Sequence, residues 1–139
     1  MHAIKGKGEV FNMQPIEKIE TPAVSIPHAG ISQAVRYGSF LFVSGQVGED
    51  LTGNVPDGIE AQVDQAIRNA SCILQAAGSD LSKVLMCRCF LRRQEDFEGM
   101  NRAYFRHFEN CGIGPARYTI IAPLCGDQYL FEIAMFAAV

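Results

Sequence analysis

Apolar residues change period along this chain, and each change marks an element. Two runs rich in Val, Phe and Tyr, SQAVRY and FLFVSG, flank Gly38-Ser39, and the pattern predicts a β-hairpin. The stretch VGEDLTGNVPDG (47–58) is dense in Gly, Pro, Asn and Asp and predicts a surface loop. A helical period follows. Ile59, Val63, Ala66, Ile67, Ala70, Ile73, Leu74 and Ala77 recur three or four apart, and Gly78 supplies the stop. KVLMCRCFLR (83–92) predicts a strand leaving that helix. A second helix is predicted at about 95–109, with Phe97, Met100, Tyr104, Phe105 and Phe108 as its stripe, and CGIGP ends it. RYTIIA (117–122) and QYLFEIAMFAAV (128–139) predict two closing strands. Residues 1–20 read as a loose N-terminus leading into a short strand.

The predicted order from the hairpin on is β-β-α-β-α-β-β. That is an α+β fold, a sheet with both helices on one face. The last strand is apolar toward both faces through FEIAMFAAV. A sheet covered on one side alternates, so its second face needs a cover, and no helix is left to supply one. A second copy of the chain is the expected cover.

The 139 residues fit one domain. With 48% apolar and 19% charged residues, the chain is globular rather than disordered. A net charge of −3 speaks against a nucleic-acid partner, and a small acid would need a local cation to hold it. The opening MHAIKGKGEVFNMQ lacks the apolar core of a secretory signal, and no run is long enough to span a bilayer. The five cysteines therefore read as reduced thiols in a cytoplasm.

Candidate chemistry is sparse. Arg117 in GPARYTI mounts a permanently charged, planar fork at a strand start, suited to a carboxylate; the alternative is an exposed arginine paired with a surface acid. Ser44 and Gly45 end a strand where backbone N–H groups could hold a carboxylate or a water. Glu132 and Ala134 share a strand face, and a carboxylate in YLFEIAMF must find a partner or take a raised pKa. Cys87 and Cys89 share a face but lack two further zinc ligands at matching spacing. His107 and Cys111, four apart near a helix end, superficially resemble a thiolate pair, but buried apolar thiols explain the cysteines better. Arg88, Arg92 and Arg93 lack interleaved aromatics and read as a solvated edge.

Taken together, SQAVRYGSFLFVSGQVGED, TGNVPDGIEAQVDQAIRNASCILQAAGSDLSKV, DFEGMNRAYFRHF, GPARYTI and FEIAMFAAV resemble the Rid (YjgF-type) family of reactive intermediate deaminases. The likeness covers 16–139 as one domain and leaves 1–15 as an N-terminal extension. It implies a chorismate-mutase-like protomer, a homotrimeric barrel with clefts between subunits, and no metal or organic cofactor. The implied activity is hydrolysis of 2-imino acids and their enamine tautomers to 2-oxo acids and ammonia. The implied partners are a small carboxylate metabolite and further copies of the chain, with neither nucleic acid nor membrane.

The resemblance assigns Arg117 to carboxylate binding and Ser44 and Gly45 to the cleft lining. It makes Phe90 a wall and places Thr119 on the face of the arginine, with Tyr118 between them. Two positions depart from the family pattern. Ile31 stands where many members have tyrosine, and Ala134 where many have a second glutamate. Ile31 implies tolerance of a larger or more apolar substrate side chain. Glu132 or a main-chain carbonyl is left as the proton-transfer group. Two other classes compete: a trimeric carboxylate binder without turnover, and an RNA-cleaving translation inhibitor.

Overall fold

In a computed structural model, residues 15–139 are described. The N-terminal extension assigned to 1–15 lies outside them apart from its last residue. Six strands form one mixed sheet: β1 (Ile16–Ile19), β2 (Ala34–Tyr37), β3 (Phe40–Val47), β4 (Val84–Leu91), β5 (Ala116–Ile121) and β6 (Phe131–Ala138). Their spatial order is β1-β2-β3-β6-β4-β5, and only β4 and β5 run parallel. The hairpin forms as the pattern predicts, with Tyr37 paired to Phe40 and Gly38 at φ 59° in its two-residue turn.

Two helices, α1 (Ile59–Ala76) and α2 (Phe97–Phe108), pack on one face of the sheet. Ile67, Ile73 and Leu74 of α1 meet Leu41, Cys87, Leu91, Ile133 and Met135 in a core closed to solvent. Gly78 takes φ 78° just past α1, and the Gly78 and Ser79 N–H groups donate to the carbonyls of Gln75 and Leu74.

The α2 stripe differs from the predicted one. Met100, Tyr104 and Phe108 are buried, but Phe97 and Phe105 are exposed and Gly99 and Ala103 take the packed positions. Buried places on α2 recur at 99, 100, 103, 104 and 108, and Phe97 and Phe105 fall off that line. The predicted strand over 128–139 starts only at Phe131, because 124–130 is a loop held from elsewhere. Arg92 Nε donates to the Tyr129 carbonyl at 2.6 Å, and its Nη2 donates to those of Gly126 (2.6 Å) and Leu124 (3.3 Å). Arg92 is thus a loop anchor, and Arg88 sits on an interior strand, so the solvated edge expected is corrected for these two; Arg93, just past β4, is exposed and paired with Glu95 and Asp96.

Two polar residues lie on the buried side of α1. Gln62 Nε2 donates to the carbonyls of Pro56 and Gln128, and its Oε1 accepts the Leu130 N–H at 2.8 Å. Asn69 Nδ2 donates to the carbonyls of Val47 (3.2 Å) and Glu49 (2.8 Å). These amides tie the loops after β3 and before β6 to α1 and so set the end of the sheet where β3 is bulged. The opposite sheet face carries no helix. Phe40, Phe42, Leu85, Tyr118 and Ile120 stand exposed on it.

Candidate active site

The candidate residues fall into two groups on opposite faces of the sheet. Arg117 and Thr119 pair with Cys87 and Cys89 across the parallel ladder, and so face the helices. The Arg117 guanidinium lies 4.6 Å from the centre of the Tyr104 ring and 5.9 Å from that of Phe105. No carboxylate lies within ion-pair distance of Arg117 among the described residues. Its Nη1 is buried without a hydrogen-bond partner, as are the Thr119 hydroxyl and the Tyr104 hydroxyl. Leaving a buried polar group unpaired costs about 1–3 kcal/mol, so Arg117 and Thr119 have polar capacity to spare, whereas the Tyr104 hydroxyl lies against the Cys87 thiol. Beside Thr119 a cavity of about 480 Å³ opens between β5 and the start of α2, lined also by Gln94, Phe97, Glu98 and Ile121. Since β5 is an edge strand, its outer backbone groups are open as well.

Tyr104 was legible only as a core residue; its place under the guanidinium follows from the crossing of α2 over β5. Cys87 and Cys89 lie beneath Arg117, fully enclosed. Burial pushes their thiols up to about 11 and about 12, which keeps them protonated and poor nucleophiles.

The second group gathers at the bulged end of β3. Ile31, Ser44, Gly45, Glu49, Tyr129 and Glu132 line a cavity of about 450 Å³. A turn places Ile31: Gly30 adopts φ 89°, and the Ile31 N–H donates to the His28 carbonyl at 3.1 Å. The Ser44 N–H donates to the Gln33 carbonyl (2.9 Å) and its hydroxyl to the Ser32 carbonyl (2.6 Å). The Ser44 N–H is therefore spent within the fold. Gly45 has a different reason from the one expected. A Cβ there would overlap Oε1 of Glu132, so the glycine makes room for that carboxylate. Phe90 lies across the ladder from Glu132, and Ala134 across from Arg88. Tyr118 points to this same helix-free face, opposite to Arg117. Near the cavity mouth the Tyr129 hydroxyl donates to Glu49, a pair the sequence did not disclose.

Burial raises the pKa of Glu132 above the usual carboxylate range. The folded form then holds its proton to higher pH than the unfolded chain. Stability is lost as pH rises through that interval, because the folded state must expose or bury a charge at a cost. Glu132→Gln is therefore expected to raise Tm at pH 7 relative to the parent and to leave it unchanged at pH 3.5, both read by calorimetry. A Tm gain that persists at low pH would contradict the assignment.

A family model described as endoribonuclease L-PSP matches residues 23–139. The chain belongs to this family. Among relatives of this L-PSP chain, a RutC family protein of Saccharolobus solfataricus is 35% identical over 123 residues, covering 87% of this chain and 96% of its own. A mouse (Mus musculus) protein named 2-iminobutanoate/2-iminopropanoate deaminase is 33% identical over 119 residues, with 84% and 86% covered. Among solved structures, the Rid-family protein YyfA of Yersinia pestis superposes with a TM-score of 0.85 at 28% identity, covering 90% of this chain and all of its own. E. coli TdcF, solved with bound serine, gives 0.83 at 26% identity, with 88% and 98% covered. The α+β fold expected from the Rid resemblance is the one observed, and the L-PSP/Rid neighbours share it. No helix among the described residues is long and apolar enough to cross a membrane.

Proposed function

We propose that this protein hydrolyses 2-imino acids and their enamine tautomers to 2-oxo acids and ammonia, in clefts formed between three copies of the chain. The observation that carries this reading is the Arg117 guanidinium, half-buried on Tyr104, with no ionic partner among the described residues and beside a Thr119 hydroxyl equally without one among them. Such a fork suits the substrate carboxylate, the one charge every 2-imino acid shares. The deaminase name of the mouse relative supports the same reading.

Chemistry then asks little of the protein. Water adds its oxygen to the protonated imine carbon, and the C=N electron pair moves to nitrogen. The carbinolamine passes a proton from oxygen to nitrogen, the C–N bond breaks, and ammonia leaves. Glu132, with its pKa raised by burial, takes the proton from the attacking water and gives it to the departing ammonia, which leaves as ammonium. Ser44 and Gly45 shape the cavity, and Phe90 stands beside Glu132 across the ladder. Neither a metal nor an organic cofactor has a step in this scheme.

Arg117 and Glu132 lie on opposite faces of one protomer. One site therefore needs Arg117 of one copy against the Glu132 cavity of the next, and the exposed apolar sheet face is the surface on which copies meet. The test is subunit complementation. With 2-iminopropanoate generated by an amino-acid oxidase and semicarbazide as the competing trap, Arg117→Ala and Glu132→Gln each lose turnover. Co-expressed, they regain about a quarter of parental activity by random pairing in a closed ring. No recovery, or a monomer by sedimentation, would overturn the shared site. A parent chain that binds 2-oxobutanoate but never speeds pyruvate formation would leave a carboxylate binder instead.

A further inference from the structure

A second guanidinium stands on the helix-free face and takes no part in the scheme above. Arg88 projects from β4 with its Cζ 4.8 Å from the centre of the Phe136 ring. Its Nε is buried and has no hydrogen-bond partner. No carboxylate lies within ion-pair distance of it among the described residues. Across the ladder its neighbour is Ala134 on β6, and the next strand is β3. Arg88 lines a cavity of about 380 Å³ together with Phe42, Phe136, Ser44 and Ile31. That cavity has no acidic residue in its lining. It shares Ile31 and Ser44 with the Glu132 cavity, so the two are adjacent compartments with a common wall.

A permanently charged group held on an aromatic ring, with a buried N–H left over, is a site for an anion. The compartment also supplies apolar surface from Ile31, Phe42 and Phe136 leading up to it, suited to a methylene spacer. We propose that Arg88 binds a second acidic group at the far end of the ligand. The preferred substrate is then the imine of a 2-oxo dicarboxylic acid rather than of a short monocarboxylic one. Ala134 matters to this device because it is the ladder neighbour of Arg88, so a longer side chain there would stand beside the Arg88 stem. The inference rests on the carboxylate site proposed above.

The experiment compares 2-oxobutanoate with 2-oxoglutarate by calorimetry on the full-length protein. The parent is expected to bind 2-oxoglutarate at least about tenfold tighter, one charge-assisted contact. Arg88→Met should abolish that preference and leave 2-oxobutanoate affinity unchanged. Ala134→Glu should do the same by placing a carboxylate beside the guanidinium. Equal affinities in the parent, with no change in Arg88→Met, overturn the second anchor while the first stands. Failure of the parent to bind either acid overturns both. An Arg88→Met chain that loses its oligomeric mass by sedimentation but keeps the preference assigns Arg88 to a contact between copies, which also overturns the proposal. Because methionine fits an aromatic, half-buried strand position, the variant is expected to fold.

Discussion

Arg117→Ala is expected to lower kcat/KM for 2-iminopropanoate hydrolysis by roughly 10²-fold or more while leaving the fold intact. Two charge-assisted hydrogen bonds to a carboxylate contribute about 3 kcal/mol together, and each 1.4 kcal/mol is a factor of ten. The fold should survive because, among the described residues, the guanidinium makes no ion pair or hydrogen bond that holds other elements; it rests on the Tyr104 and Phe105 rings. Truncation also removes a buried, unpartnered nitrogen, so Tm should change little. Arg117→Lys should recover part of the loss, since an ammonium keeps the charge but not the planar fork. The measurement is initial rate against substrate concentration in the trapping assay, with Tm recorded on the same samples. Unchanged kcat/KM in Arg117→Ala would remove the carboxylate role.

Gly48→Ala should destabilise the chain by about 3 kcal/mol, the cost of forcing extra atoms into a packed contact. A Cβ on Gly48 would sit 2.7 Å from both Cα and O of Gln62 and 2.8 Å from its Cβ. Two of those atoms belong to the α1 backbone, which cannot swing aside as a side-chain end can. The strain would part α1 from the end of β3, where Gln62 and Asn69 hold the loops that border the Glu132 cavity. Urea unfolding should show a lower midpoint, and turnover should fall with it even though Gly48 touches no substrate. Gly45→Ala makes a useful contrast. The three atoms nearest its added methyl all belong to the Glu132 side chain, which can move, so stability should hold while the proton-transfer group is displaced. A Gly48→Ala chain with an unchanged midpoint would show that β3 and α1 are not in the close contact described.

Several local features were readable because they depend on neighbours in the chain. The Gly38-Ser39 hairpin and the α1 stripe that Gly78 closes are properties of short windows, where period and turn chemistry act directly. The α2 stripe was only partly readable. A helix of five aromatic and apolar candidates offers more than one face, and the crossing over β5 selected the one that buries Met100, Tyr104 and Phe108. Gln62 and Asn69 gave no signal, since a polar residue on a helix is ordinarily a solvated one. They are buried because two distant loops present carbonyls to them.

The candidate site divides along the same line. Alternation along a strand already puts Arg117 with Thr119, and Glu132 with Ala134, whatever the fold. Amino-acid order alone thus determined the elements, their turns and these pairs. Tertiary structure decided that the first pair faces α2 and the second the bare side of the sheet, that Arg88 lines a cavity adjoining that of Glu132, and that Gly45 leaves room for a carboxylate. Those outcomes depend on which strands lie side by side, and β6 inserts between β3 and β4 through contacts far apart in the chain. Strand order is fixed by the total burial of all six strands and two helices at once, and no short window of sequence contains that sum.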